Sequence, residues 1–265
     1  MKFTAIVLAG SRPGRDHFAE QFGNDMKALI AVAGEPMVRR PVRALLASES
    51  IGSVVLLSQA PERIASVVPR DPRVTFRESR GTSAEIMLAL CDDATTQWPL
   101  VVTTADHALL DPATVDEFLG NSDGADLALG VVERGVLMKR FPEAQRTWLK
   151  FRGGAYTGAN LFALRSPAVR PAIELWRSVE HDRKKAWRIV SLLGPAVLLC
   201  VTLRLVSLTE VLAQLGGRMG LKIKPVELSN PLAGVDVDKN SHWSLFSFRF
   251  APMCLFALGI EYRST

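Results

Sequence analysis

Apolar positions along the chain fall into short runs divided by polar turns. The run Phe3 to Leu8 has the length and β-branched content of a buried strand, and it breaks at Gly10 into a loop holding Ser11, Pro13 and Gly14. A second apolar run, Ala28 to Ala33, ends in the turn Gly34-Glu35-Pro36. Met37 to Ala47 then carries apolar residues at helical intervals, with Arg39, Arg40 and Arg43 on the other side. Strands are predicted at Ser53–Leu57, Val74–Phe76, Pro99–Thr103, Asp126–Val132, Trp148–Arg152, Tyr156–Leu164 and Lys222–Leu228. Helices are predicted at Pro61–Val68, Thr82–Leu90 and Pro112–Leu119, and the stretch from Pro167 to Gly217 reads as helical throughout. Strands alternating with helices argue for an α/β fold, a doubly wound and mostly parallel sheet. Ligands of such sheets gather beyond the carboxyl ends of the strands, where both Gly10–Arg15 and Asp106 fall.

Composition narrows this picture only a little. With 265 residues and 48% hydrophobic content, the chain is read as one domain spanning 1–265, with a helical apolar and basic insertion at about 167–217. A formal charge of +5 permits nucleotides or an acidic membrane surface, but the basic residues form no single block and no nucleic-acid reader motif is present, so no nucleic-acid partner is expected. Cys91, Cys200 and Cys254 lack C-x-x-C spacing and fit reduced, packed thiols. The N-terminus runs straight into a strand without a signal-peptide pattern, and the expected location is cytoplasmic.

Candidate chemistry begins at the first loop. Small residues at Gly10, Ser11 and Gly14 let backbone N–H groups approach an anion, and Arg12, Arg15 and Lys27 supply charge of the matching sign. The glycines fit neither G-x-G-x-x-G nor a P-loop. Strand-end carboxylates follow: Asp106 in V-V-T-T-A-D-H, and Asp236 and Asp238 in G-V-D-V-D. Hard Mg²⁺ favours one or two carboxylates plus phosphate oxygens and water. His107 reads as a satisfied loop histidine, because an incoming phosphate is already anionic and needs no base.

L-A-G-S-R-P-G-R followed by M-K-A-L-I-A-V-A-G-E-P-M resembles the opening of the MobA-like nucleotidyltransferases. T-T-A-D-H and the closing D-V-D are similar to that superfamily's later segments. The resemblance implies a Rossmann-like, three-layer, GT-A-type fold. It also implies Mg²⁺-dependent transfer of a nucleoside monophosphate from an NTP to a phosphorylated small-molecule or lipid-linked acceptor, releasing pyrophosphate. Arg15, Lys27, Asp106 and Asp238 take the catalytic positions, with Asp106 and Asp238 as metal ligands and Asp236 beside them as a further candidate. Leu8, Ala9, Gly10, Ser11, Arg12, Gly14, Arg15 and Lys27 take the nucleotide-binding positions. Gly81, Thr82 and Ser83 loosely match the segment that touches the base, and helix capping explains them equally well. Two departures stand out: Ser11 replaces the usual glycine, and Arg15 to Lys27 is several residues longer than usual.

The T-G-A-N portion of F-R-G-G-A-Y-T-G-A-N-L-F resembles an acceptor loop, which places Asn160 on an acceptor hydroxyl and Lys150 or Arg152 on its phosphate. From Ile189 to Leu208 the chain is apolar, with the single charge Arg204, and basic residues Arg183, Lys184, Lys185 and Arg188 flank it. Gly194-Pro195 cuts that run in two. Three readings stay open for 183–208: a hairpin packed on the sheet or on a partner subunit, peripheral contact at the inner face of the membrane, or a true span. Trp243 to Phe256 is aromatic and nearly uncharged, where the family pattern leads one to expect an amphipathic helix. Two rival functions remain: a GT-A glycosyltransferase using a nucleotide sugar, against which the Arg/Lys loop argues, and a non-catalytic nucleotide- or membrane-binding scaffold, which the carboxylates disfavour.

Overall fold

A computed structural model describes residues 1–10, 16–144, 146–180 and 194–237. Arg15, Ser11, Arg12, Gly14 and Asp238 lie outside the described residues, as do the basic flank 183–188 and the tail from Trp243 to Phe256.

The strands are β1 (Phe3–Leu8), β2 (Ala31–Val32), β3 (Glu35–Pro36), β4 (Ile51–Ser58), β5 (Val74–Glu78), β6 (Leu100–Thr104), β7 (Leu127–Glu133), β8 (Leu149–Phe151), β9 (Gly154–Leu164) and β10 (Ile223–Glu227). Eight of them form one sheet in the order β10-β7-β9-β6-β1-β4-β5, with β8 added to β9. All neighbours pair in parallel except those of β9, which runs against β6, β7 and β8. The carboxyl ends of β1, β4, β5, β6, β7 and β10 therefore share one edge. The amino end of β9 reaches the same edge.

Among the described residues the helices are α1 (His17–Gln21), α2 (Arg39–Ala47), α3 (Pro61–Val67), α4 (Ser83–Asp92), α5 (Pro112–Gly120), α6 (Arg134–Arg140), α7 (Arg170–Glu180), α8 (Pro195–Thr202) and α9 (Leu208–Arg218). Alternation along the strands sorts the core into two layers. Ala5, Val7, Val54, Leu56 and Val101 face α2, α3 and α5 through Val42, Leu45, Ile64, Val115 and Phe118. Ile6, Val55, Leu57, Leu100 and Val102 face α4 and α7 through Ala84, Met87 and Ile173. Helices on both faces of the sheet give the three-layer α/β fold that the alternation predicts.

The helical stretch from Pro167 divides into separate pieces. A 3₁₀ turn at Pro167–Val169 leads into α7, and α8 starts at Pro195, where a proline at the first turn lacks only an N–H that the helix does not use. Ser207 caps α9 through a reciprocal pair with Glu210. No described helix is long and apolar enough to cross a membrane.

Candidate active site

The edge where the parallel strands end gathers residues from four distant parts of the sequence. Lys27 opens a short 3₁₀ turn, Lys27–Leu29, whose Ala28 is buried. The hairpin that follows pairs Ala31 with Pro36 and Val32 with Glu35, and its two turn residues, Ala33 and Gly34, both have positive φ (50° and 82°). That is the geometry of a two-residue hairpin turn that matches strand twist. It delivers Glu35 to α2, where Arg40 and Arg43 pair with it at 3.3 and 2.8 Å. Arg40 also donates through Nε to the carbonyl of Ala108 at 2.9 Å, fixing the turn after β6.

Asp106 sits in that turn. Lys27 Nζ lies 2.5 Å from its Oδ2, and the Thr104 hydroxyl donates to its Oδ1. Lys27 and Asp106 keep side-chain exposures of 22% and 21%, so the pair is open enough to meet a ligand. The face of Phe18, on α1, lies 5.9 Å from the Lys27 ammonium and adds a weak attraction for the cation. The backbone N–H of Val237 donates to the carbonyl of Asp106 at 3.0 Å. Val237 is thereby laid against the strand-end aspartate, and Asp238 follows it in the sequence.

Asp236, the further metal candidate, follows a 3₁₀ turn, Pro231–Gly234, that Asn230 caps. It pairs with Arg146 at 3.0 Å, with exposures of only 11% and 12%. Arg146, Arg40 and Thr104 were not picked out from the sequence. Thr104 lies inside the T-T-A-D segment and was within reach, whereas nothing in A-Q-R-T-W marks Arg146.

His107 is fully buried, and its Nδ1 shares a hydrogen bond with Thr103 Oγ1 at 3.2 Å. Among the described residues its Nε2 has no hydrogen bond of ordinary geometry, although the Ala233 carbonyl is nearby. Burial dominates and pushes its pKa down to about 4, against the opposing pull of Asp106, so the ring is neutral.

Gly81 and Thr82 follow β5 at the same edge. Thr82 caps α4, accepting from the Glu85 N–H while Glu85 accepts from the Thr82 N–H, so capping accounts for this segment among the described contacts. Leu8 ends β1, and the Ala9 N–H continues its ladder to the Leu57 carbonyl. A Cβ at Gly10 would stand 2.8 Å from the Gln59 side chain, so glycine suits the backbone's path there.

Asn160 occupies a bulge in β9. Leu129 pairs with Phe162 and Val131 with Gly158, so Ala159, Asn160 and Leu161 together oppose Gly130. Asn160 takes φ 46°, a left-handed conformation that asparagine tolerates better than most residues. A Cβ on Gly130 would stand 3.1 Å from Leu161 Cβ, a tight contact that glycine on the facing strand avoids. The β6–β9 ladder ends at Val102–Phe162, two residues from Thr104 on one strand and from Asn160 on the other. Bulges of this kind re-aim side chains beside sites. Lys150 pairs with Ala155, five positions away and about 16 Å along the strand. Arg152 pairs with Glu210 at 2.6 Å. The three proposed acceptor residues thus lie along one hairpin rather than in one cluster.

Asp106 offers hard oxygen donors, partly exposed, at the edge where ligands of such sheets bind. Such oxygens are what a small hard cation takes, but Lys27 and Thr104 engage both of them here, and the described residues hold no group of three or more possible metal ligands.

Residues 5–218 match the MobA-like NTP transferase domain. The chain belongs to this family of nucleotidyltransferases. Among similar proteins, the 2-C-methyl-D-erythritol 4-phosphate cytidylyltransferase of Bordetella petrii is 34% identical over 140 residues, 49% of this chain and 59% of that one. The chain thus spans less than two thirds of that relative's length. The structure of a hypothetical transferase from Thermus thermophilus is 31% identical, with a TM-score of 0.77 over 92% of this chain and 100% of the other. The 4-diphosphocytidyl-2C-methyl-D-erythritol synthase of Anaerococcus prevotii, at 10% identity, a TM-score of 0.58 and 96% coverage of both chains, shares the fold.

Proposed function

We propose that this MobA-like protein transfers a nucleoside monophosphate from an Mg²⁺-bound NTP to a phosphorylated acceptor and releases pyrophosphate. The observation that carries the reading is the convergence on Asp106, which receives Lys27 at 2.5 Å and the Val237 N–H at 3.0 Å. Three motifs far apart in sequence thus meet at one carboxylate. Asp106 and Asp238 hold the cation, which when bound neutralises triphosphate charge. Lys27, Arg15 and the amides of the loop Gly10–Gly14 bind the triphosphate and stabilise charge that develops as pyrophosphate leaves. Leu8 and Ala9 lead the chain into that loop, and Gly81–Ser83 lie at the base end. Asn160, aimed by its bulge, orients the acceptor, while Lys150 and Arg152 supply positive charge along the approach. Arg146 acts through Asp236, holding the closing segment against Asp106. No general base is required, because the acceptor phosphate is itself the nucleophile.

CTP is the first nucleotide to test, since the Bordetella relative is named as a cytidylyltransferase. The experiment is pyrophosphate release from each of four NTPs with Mg²⁺, with and without pooled phosphorylated sugars, polyols and lipid-linked phosphates. Release that depends on one nucleotide and one acceptor is the expected result. Acceptor-independent release, or none with any combination, counts against the reading.

A further inference from the structure

Lys27 and Asp106 are joined twice. The direct link is their ion pair, Nζ to Oδ2 at 2.5 Å. The second link runs through the start of α2 and uses no atom of either side chain. The Val38 N–H donates to the carbonyl of Ala28, the residue after Lys27, at 3.0 Å. Two residues on, Arg40 Nε donates to the carbonyl of Ala108, two residues after Asp106, at 2.9 Å. The Met37 N–H closes the base of the β2–β3 hairpin on the Ile30 carbonyl at 2.9 Å, so the start of α2 is held to the hairpin as well.

Arg40 is placed to make that bridge rigid. Its side chain is 12% exposed, and its Nη1 donates to Glu35 Oε1 at 3.3 Å. Glu35 is held in turn by two bonds from Arg43, at 3.0 and 2.8 Å. A guanidinium is planar, with donors in fixed directions, so anchoring Nη1 on the hairpin sets where Nε points. Beneath it, Ile30, Val32 and Met37 share a buried cluster with Ala108 and Leu109. Apolar packing brings the hairpin and the Asp106 turn together, but it is non-directional. Arg40 supplies a directed contact between them.

The two links respond differently to a ligand. A triphosphate takes the Lys27 ammonium and a cation takes the Asp106 oxygens, so both compete with the ion pair. The second link is built from main-chain groups and the Arg40 guanidinium, none of which that competition touches. We propose that Arg40 is a positioning residue, which keeps Lys27 and Asp106 at working distance once ligand has parted their ion pair. The inference rests on the triphosphate and cation site proposed above, and it gives Arg40 no ligand contact of its own. Arginine is required for the task, because a lysine ammonium has no fork with which to hold Glu35 and the Ala108 carbonyl in fixed relative directions.

Calorimetry of the full chain with Mg²⁺ and each of four NTPs tests it, the nucleotide bound tightest by wild type serving as probe. Arg40→Lys keeps the charge beside Glu35 but loses the bridge, and should weaken binding about tenfold. Glu35→Gln loosens the hairpin end of the bridge and should weaken binding about threefold. The deciding comparison repeats both substitutions in a Lys27→Met background, where the spacing to be kept no longer exists. There each should cost less than about twofold, because residues that act through one another are not additive. The same factor in both backgrounds assigns Arg40 to general support of the fold or to direct ligand contact, and overturns the proposal. Wild-type affinity in both variants overturns it too, while leaving the triphosphate site standing. A wild type that binds no NTP removes that site and this inference with it. Circular dichroism verifies folding, and Glu35→Gln carries the comparison if Arg40→Lys does not fold.

Discussion

Lys27 Nζ stands 2.5 Å from Asp106 Oδ2, across 79 residues of sequence. The ammonium proposed to grip the triphosphate is thus the partner of the carboxylate proposed to hold the cation, and each sets the charge that the other presents.

Opposite effects on two ligands follow from that pairing. Lys27→Met should weaken NTP affinity about tenfold or more, through loss of a charge-assisted phosphate contact. Divalent-ion binding to the protein alone should hold or tighten by up to about fivefold, because a partly exposed pair is worth roughly 1 kcal/mol. Calorimetry with NTP and manganese resonance titration without it read the two effects separately. Parallel weakening of both would show that Lys27 only supports the fold.

Asp106→Asn and Asp238→Asn should each lower turnover about a hundredfold or more with the fold retained, since the carboxamide keeps shape but loses charge that stabilises the transition state. Steady-state kinetics beside circular dichroism is the check. Activity within about threefold of wild type for both variants removes the assigned metal site.

The Arg146–Asp236 pair, 12% and 11% exposed, is close to a buried ion pair. Breaking it from one side strands a charge, so Arg146→Met should cost about 3 kcal/mol of unfolding free energy. Arg146→Met/Asp236→Leu should recover most of that loss, since an apolar pair of similar volume avoids the stranded charge. Urea titration of the two variants measures it. A double variant weaker than the single one would mean that Asp236 is needed for more than neutralising Arg146.

His107 gives the fold a pH dependence of known sign. Its pKa is about 4 when folded against about 6.5 in the unfolded chain, so the unfolded chain binds more protons between those values. The stability from keeping this ring neutral is complete above pH about 6.5 and is lost as pH falls towards 4, by at most roughly 3 kcal/mol. His107→Gln should flatten that part of the profile, read from urea midpoints between pH 7 and pH about 4.5. An unchanged slope would assign the acid sensitivity to other groups.

Much of this was legible because it depended on local pattern. Short apolar, β-branched runs at Phe3–Leu8 and Pro99–Thr103 marked strands, and strand polarity then set Gly10 and Asp106 at one edge. The pairing of Asp236 with Arg146 was not legible, because it depends on the path the chain takes after the capped 3₁₀ turn at Pro231–Gly234. Arg146 was invisible, since its partner lies 90 residues away and ordinary loop residues surround it. Asn160 was singled out by resemblance. What the sequence did not disclose was the bulge, which packs against Gly130 on another strand.

The central claim is transfer of the nucleoside monophosphate, and the position of isotope tests it most directly. The enzyme is incubated with Mg²⁺ and its acceptor, and with NTP labelled in parallel at the α- or the γ-phosphate. The account predicts α-label in the acceptor product and γ-label only in pyrophosphate, with both signals lost in Asp106→Asn. Gamma-label in the acceptor, or α-label left only in free nucleotide, would contradict it.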